Sequence, residues 1–174
     1  MDLPEGVVDV SILVPACFEN PLKELSINFI ESVLTQESHA VLPVTATLGA
    51  YHITTRYLRV PRSAAKKTIE GILRSGSPSL YPHIKPENAL DALEYALNYK
   101  VESWDGYLIS LTRSLRSTLV YTLDEELSKV KEITIVNPFP QDAVKEYHKY
   151  LKTRLNSNIK LNLRELRSKK KRIN

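Results

Sequence analysis

The chain has 174 residues and a formal net charge of +4, enough length to bury one sizeable core with room for a short appendage. Its single cysteine, Cys17, excludes an internal disulfide and a cysteine-built zinc site, and suits a reducing cytosol. The best apolar run, Val7 to Ala16, contains Asp9 and falls short of the roughly 20 residues of a membrane span, while Asp2, Glu5 and Asp9 occupy the place of a basic signal start, so a soluble, cytoplasmic protein without membrane contact is expected.

Val7-Val8-Asp9-Val10-Ser11-Ile12-Leu13 is rich in β-branched residues and nearly continuous in apolarity, which predicts a first strand buried on both faces. Asn20-Pro21 then supplies a cap and a first-turn proline for a helix running to about Gln36, with Leu22, Leu25, Phe29 and Val33 at helical spacing. Ala40 to Val44 reads as a second strand. Thr45 to Leu58 resumes helical periodicity until Val60-Pro61 stops it, and Ser63 to Arg74 is a third helix. Gly76-Ser77-Pro78 turns the chain into a third strand over Ser79 to Ile84, which Pro82 keeps short or at an edge. Lys85-Pro86-Glu87 opens a helix with Ala89, Leu90, Leu93, Ala96 and Leu97 on one face, fading near Lys100. A further helix over Ser103 to Leu115, a strand over Ser117 to Thr122, a brief helix over Asp124 to Val130 and a strand over Glu132 to Val136 complete the series. Strands alternating with helices predict an α/β fold: a three-layer α/β/α sandwich around a mostly parallel, five-stranded sheet, over residues 1–140.

After Pro140 the pattern changes. Val144, Tyr147, Leu151 and Leu155 form a narrow stripe that docks one amphipathic helix, and residues 141–174 are read as that helix plus a basic tail. Ile159 to Arg164 alternates before a charge run, for which disorder is the simplest expectation. Residues 145–174 hold eleven Lys and Arg against Glu146 and Glu165, a net of +9, whereas residues 1–144 carry −5. A polyanion-binding tail on a cation-binding body produces such asymmetry, and so does a merely solvated tail.

Three acids stand out. Asp9 interrupts an otherwise apolar run, and an unpaired buried carboxylate is expensive, so it belongs on a cation or an Arg. Asp105 falls in the first turn of a helix that Ser103 is placed to cap, where an acid also suits the helix dipole. Asp124 follows a strand and serves equally as an N-cap. All three lie beside or just after elements of one predicted sheet, and oxygens converging there are what Mg²⁺ or Mn²⁺ requires.

Val8-Asp9-Val10-Ser11, Trp104-Asp105-Gly106-Tyr107-Leu108 and Tyr121-Thr122-Leu123-Asp124 resemble, in order, the acidic motifs of the PIN-domain family, which includes the VapC-type toxins of prokaryotic toxin-antitoxin pairs. The resemblance covers about residues 6 to 138. It implies a metal-dependent endoribonuclease in which Asp9, Asp105 and Asp124 hold Mg²⁺ or Mn²⁺, with Ser11 and Thr122 at the family's hydroxyl positions that steady the carboxylates. It further implies single-stranded or structured RNA as substrate, an antitoxin protein as partner, and a homodimer. The basic residues that would hold RNA are Lys160, Arg164, Arg167, Lys169, Lys170, Lys171 and Arg172.

One position departs from the family. Aligning Pro43 to Ala50 with the second motif puts Gly49 where a metal-site glutamate is normally found, with Glu102, Glu125, Glu126 and His52 as substitutes to be tested by geometry. The rival reading is therefore a catalytically impaired PIN-fold module that binds RNA or protein, with Tyr51, Tyr57, Tyr81, Tyr107, Tyr147 and Tyr150 as candidates for base stacking or for packing. A phosphoaspartyl enzyme of the haloacid-dehalogenase pattern needs a second acid two residues after Asp9, where this chain has Ser11, and a receiver domain lacks its paired acid and late-strand lysine.

Overall fold

The computed structural model describes the backbone of residues 4–170 and the side chains of residues 4–156. Five strands, β1 (Gly6–Val8), β2 (Ala40–Pro43), β3 (Leu80–Tyr81), β4 (Leu119–Tyr121) and β5 (Thr134–Val136), form one all-parallel sheet in the order β3-β2-β1-β4-β5. The seven helices are α1 (Val10–Leu13), α2 (Lys23–Leu34), α3 (Val44–His52), α4 (Arg62–Arg74), α5 (Pro86–Tyr99), α6 (Ser103–Ser114) and α7 (Gln141–Lys170). The chain starts at the central strand, works outward to β3, then returns to place β4 on the other side of β1. The topological switch therefore lies between β1 and β4, with Val8 opposite Tyr121 at its carboxyl end.

Strand pleating divides the core in two. Val7 and Val8, adjacent in β1 and both fully buried, face opposite ways. Val8, Ala40 and Leu42 pack under α1 to α4 and the start of α7, through Ile12, Val33, Ala50 and Tyr147. Val7 and Val120 pack under α6, through Leu108, Ile109 and Leu111, with Leu127 and Ile133 closing the layer. This is the three-layer sandwich expected from the alternation of elements.

Several boundaries differ from the sequence reading, each for a local reason. The predicted first strand stops at Val8, because Asp9, in extended backbone, turns its carboxylate to accept from the Ser11 N–H and caps α1. Val10–Leu13 is consequently helical, and Asp9 lies beyond the strand rather than within it. The expected Thr45 to Leu58 helix changes winding after His52 into a π turn, Ile53–Tyr57, where Leu58 N–H bonds to Ile53 O at 3.2 Å. The Thr54 and Thr55 hydroxyls bond back to the Ala50 and Tyr51 carbonyls, both at 2.7 Å, which favours bending there. β3 shrinks to two residues at the sheet edge, before Pro82. α7 is one continuous 30-residue helix that includes the segment whose alternation suggested otherwise.

α5 differs from the other helices. It begins at Lys85 with Pro86 in its first turn and ends at Lys100 in the left-handed region, φ 54°. The apolar face read from its sequence is not the one it buries: Leu90, Leu93 and Leu97 are 68%, 59% and 78% exposed, and Ala92 is its buried residue. The helix reaches α6 at Gly106, where a Cβ would stand 2.0 Å from the Ala92 carbonyl oxygen. No helix among the described residues is long and apolar enough to cross a membrane.

Candidate functional site

The carboxyl ends of β1 and β4 are joined one residue past the strands, where Asp9 N–H donates to Tyr121 O at 2.9 Å. Asp9 is 4% exposed. Its Oδ2 accepts from the Ser11 hydroxyl at 2.6 Å, the Thr122 hydroxyl at 2.8 Å and the Ser11 N–H at 3.3 Å. The Ser11 hydroxyl oxygen in turn accepts from Leu123 N–H, and that of Thr122 from Asp124 N–H, both at 2.9 Å. Each hydroxyl has one proton and gives it to Asp9, so their mutual approach of 3.2 Å adds no further bond. Burial pushes the Asp9 carboxyl above the usual carboxylate range, while the two hydroxyls and the backbone amides pull it back toward ionisation.

Asp105 is the third residue of α6. Its Oδ2 accepts from Glu102 N–H at 3.3 Å, and Glu102, not Ser103, is the N-cap. Its pKa is pushed up to about 6, first by burial and then by the charges of Asp9 and Asp124. Asp105 therefore lies within electrostatic reach of both Asp9 and Asp124. Asp124 caps the 3-10 turn Glu125–Lys129 and accepts from Glu126 N–H at 2.8 Å.

All three acids line one open cleft of about 380 Å³, together with Val10, Trp104, Leu123 and His148. Larger hollows exist, one of about 550 Å³ between α2 and α4, but Ile27, Ile30, Leu34 and Ile72 make it a mostly apolar groove with Glu31 as its one acid. The acid cleft sits at the topological switch of the sheet, where open α/β folds gather ligands.

An oxygen-only donor set suits a hard divalent ion. Yet among the described residues no three His, Cys, Asp or Glu side chains stand together as a ready chelate. Asp9 Oδ2 is already held by three donors. An ion that keeps several of its waters, the usual habit of Mg²⁺, would need only one or two direct protein ligands here.

Gly49, which the sequence alignment sets at the family's second acid, has a definite neighbourhood. A Cβ on Gly49 would lie 3.2 Å from Val10 Cγ2 and 3.9 Å from Trp104 Cζ2, and both residues line the acid cleft. None of the substitutes named from sequence lines that cleft. Glu102 and Glu126 are exposed, Glu125 faces a neighbouring cavity, and His52 is exposed and edge-on to Tyr57 at 5.6 Å. Among the tyrosines, Tyr107 and Tyr147 are buried in the core and cannot stack bases, whereas Tyr57 is 57% exposed. The side chains of Lys160, Arg164, Arg167, Lys169 and Lys170 lie outside the described residues, as do Lys171 and Arg172 entirely.

Sequence reasoning missed His148. It sits on α7 four residues after Val144 and three before Leu151, at the edge of the stripe that docks the helix, and that spacing was the available signal.

No protein-family model matches the chain, and no curated relative matches it.

Proposed function

We propose that the chain is a metal-dependent endoribonuclease of the PIN type, cutting RNA at the cleft of Asp9, Asp105 and Asp124. The observation that carries the reading is the convergence of three carboxylates, from just past β1, the first turn of α6 and the turn after β4, at the switch point of a parallel sheet, close enough that Asp9 and Asp124 raise the pKa of Asp105. Repulsion of this kind at Asp105 is a liability that a bound cation relieves. The Ser11 and Thr122 hydroxyls orient Asp9 and offset part of the burial that raises its pKa, which is what a ligand carboxylate needs before the ion arrives. Asp105 and Asp124 complete the negative surface at which Mg²⁺ or Mn²⁺ would be held. When bound, such an ion lowers the pKa of an attacking water and offsets charge on the phosphoryl group.

An acidic body repels a phosphate backbone, so the +9 carried by residues 145–174 is assigned the long-range attraction. A toxin held in check by an antitoxin is the setting that the family resemblance implies.

The test is incubation of the purified protein with labelled single-stranded RNA in Mn²⁺, Mg²⁺ or chelator. The proposal expects cleavage with either ion and none with chelator, and a fall of at least about 100-fold for Asp105→Asn, since charge placed at the reacting phosphate is a leading catalytic term. An Asn variant that cuts as well as the parent removes Asp105 from the mechanism. The second reading, a module that binds RNA or protein without cutting, is favoured by Gly49 and by the lack of a ready three-ligand chelate. Retained RNA binding without ion-dependent cleavage selects it.

A further inference from the structure

Beside the acid cleft lies a second cavity of about 330 Å³, lined by Asn137, Gln141, Lys145 and His148, with Glu125 at its wall. The two hollows share Leu123, Asp124 and His148, so they meet along one ridge. The second differs in chemistry from the first. α7 delivers Gln141, Lys145 and His148 at positions i, i+4 and i+7, hence on one helical face, and all three are exposed. Asn137 uses its side-chain oxygen to accept from Phe139 N–H at 3.0 Å, which leaves its NH₂ group to donate.

A strand crossing the acid cleft brings phosphates toward three carboxylates, and the neighbouring surface has to hold it there. Lys145 supplies a positive charge and the His148 imidazole a ring hydrogen-bond partner on the ridge itself. Asn137 and Gln141 carry amides, which both donate and accept and therefore suit a base edge. A cavity of this size is at the small end for ligand sites, appropriate to one nucleotide rather than a duplex. A base enters such a hollow only if it is unpaired.

We propose that this cavity is a nucleotide subsite of the ribonuclease, taking the base and ribose of the residue that flanks the scissile phosphate of single-stranded RNA, with Lys145 and His148 on phosphate oxygens and Gln141 and Asn137 at the base edge. The subsite rests on the nuclease reading for its role but not for its occupancy, and the two are separable. Lys145, His148 and Gln141 are positioning residues.

The experiment uses the full chain and its Lys145→Gln, His148→Gln and Gln141→Ala variants, with melting temperatures taken to establish that each remains folded. The probe is a fluorescein-labelled single-stranded RNA 12-mer. Cleavage is followed in Mn²⁺ across substrate concentration, and binding by anisotropy in chelator across a salt series. Lys145→Gln and His148→Gln are each expected to raise KM about three- to fivefold, the scale of one exposed charged contact, while kcat changes less than twofold. Lys145→Gln also flattens the slope of log K against log salt by about 0.7, the value of one single-strand phosphate contact. Gln141→Ala changes the nucleotide preferred at one side of the cut. If the parent does not cleave but Lys145→Gln and His148→Gln weaken binding, the subsite stands and the nuclease falls. Unchanged affinity and salt slope in the variants overturn the subsite, as does a His148→Gln defect confined to kcat.

Discussion

The two sides of the acid cleft are built on opposite principles. On the strand side, Asp9 is buried and held by two hydroxyls and a backbone amide, each hydroxyl itself fixed by an amide from the β4 side. On the helix side, Asp105 has one 3.3 Å backbone bond and the repulsion of two carboxylates. The first half is organised before any ligand arrives; the second is held under strain by its charge. The hydroxyl fork is a structural device that fixes Asp9, whereas an acid at Asp105 gains from the structure only the weak helix-dipole interaction of a first-turn position. Asn in its place would accept the same bond from Glu102 without the charge.

Thr122→Val disrupts the strand side and has the largest expected effect. It removes a donor from a buried carboxylate and strips Asp124 N–H of its acceptor, for an expected loss of about 2–3 kcal/mol in urea unfolding at pH 7. The deficit shrinks in acid as Asp9 takes up a proton. A loss below about 0.5 kcal/mol would mean that water replaces the hydroxyl, and that the strand side is no better organised than the helix side.

Asp105→Asn tests the other half, with a smaller effect of opposite sign. Because the folded protein holds the Asp105 proton up to about pH 6, against the ordinary 3.8, it binds more protons than the unfolded chain between those values. The contribution of Asp105 to stability is therefore fullest below about pH 4, falls as pH rises through 6 and levels off above 7. Asp105→Asn should remove that fall and gain about 1 kcal/mol at pH 7.5, reduced from the full linkage value because the group is partly screened by solvent. Thermal melts from pH 4 to 8 read it directly, and a variant that follows the parent at every pH would show that the repulsion is negligible.

Gly49→Glu carries the smallest change in stability. Glutamate is the better helix former by several tenths of a kcal/mol, but its Cβ must share space with Val10 Cγ2 at 3.2 Å, so the net should lie within about 0.5 kcal/mol. A fourth carboxylate at the cleft rim adds to the helix side's charge, so Mn²⁺ titrated by calorimetry should bind more tightly than to the parent. Equal binding by a folded variant would remove position 49 from the site, and unfolding would assign the glycine to close packing instead.

The parts of the fold that local chemistry writes were legible in the chain. Lys85-Pro86 did open a helix, Val60-Pro61 did end one, and Pro82 did confine its strand to an edge. What failed was the choice between two buried states. Val10 to Leu13 has strand composition, yet the capping carboxylate one residue earlier decides for helix, and apolarity alone cannot separate the two. The leucines of α5 misled in a similar way, since their periodicity marks a face without saying that anything covers it. In the site, each acid could be found singly, but the neighbours that give them meaning come from distant segments. Thr122 bonds Asp9 across 113 residues, and His148 reaches the cleft from a helix that begins only after the sheet is complete.

Gly106 adds a mechanical consequence. It follows Asp105 directly, and the space where its side chain would stand is filled by the Ala92 carbonyl of α5. The distance between two helices is thus set one residue away from a site carboxylate, so α5 acts as a gauge block against which Asp105 is measured. A single methyl group at position 106 would have to drive α5 and α6 apart or tilt α6 at its first turn, and either motion is transmitted to Asp105 with almost no lever arm to soften it. The outermost helix, most of whose surface faces solvent, in this way sets a tolerance at the centre of the cleft.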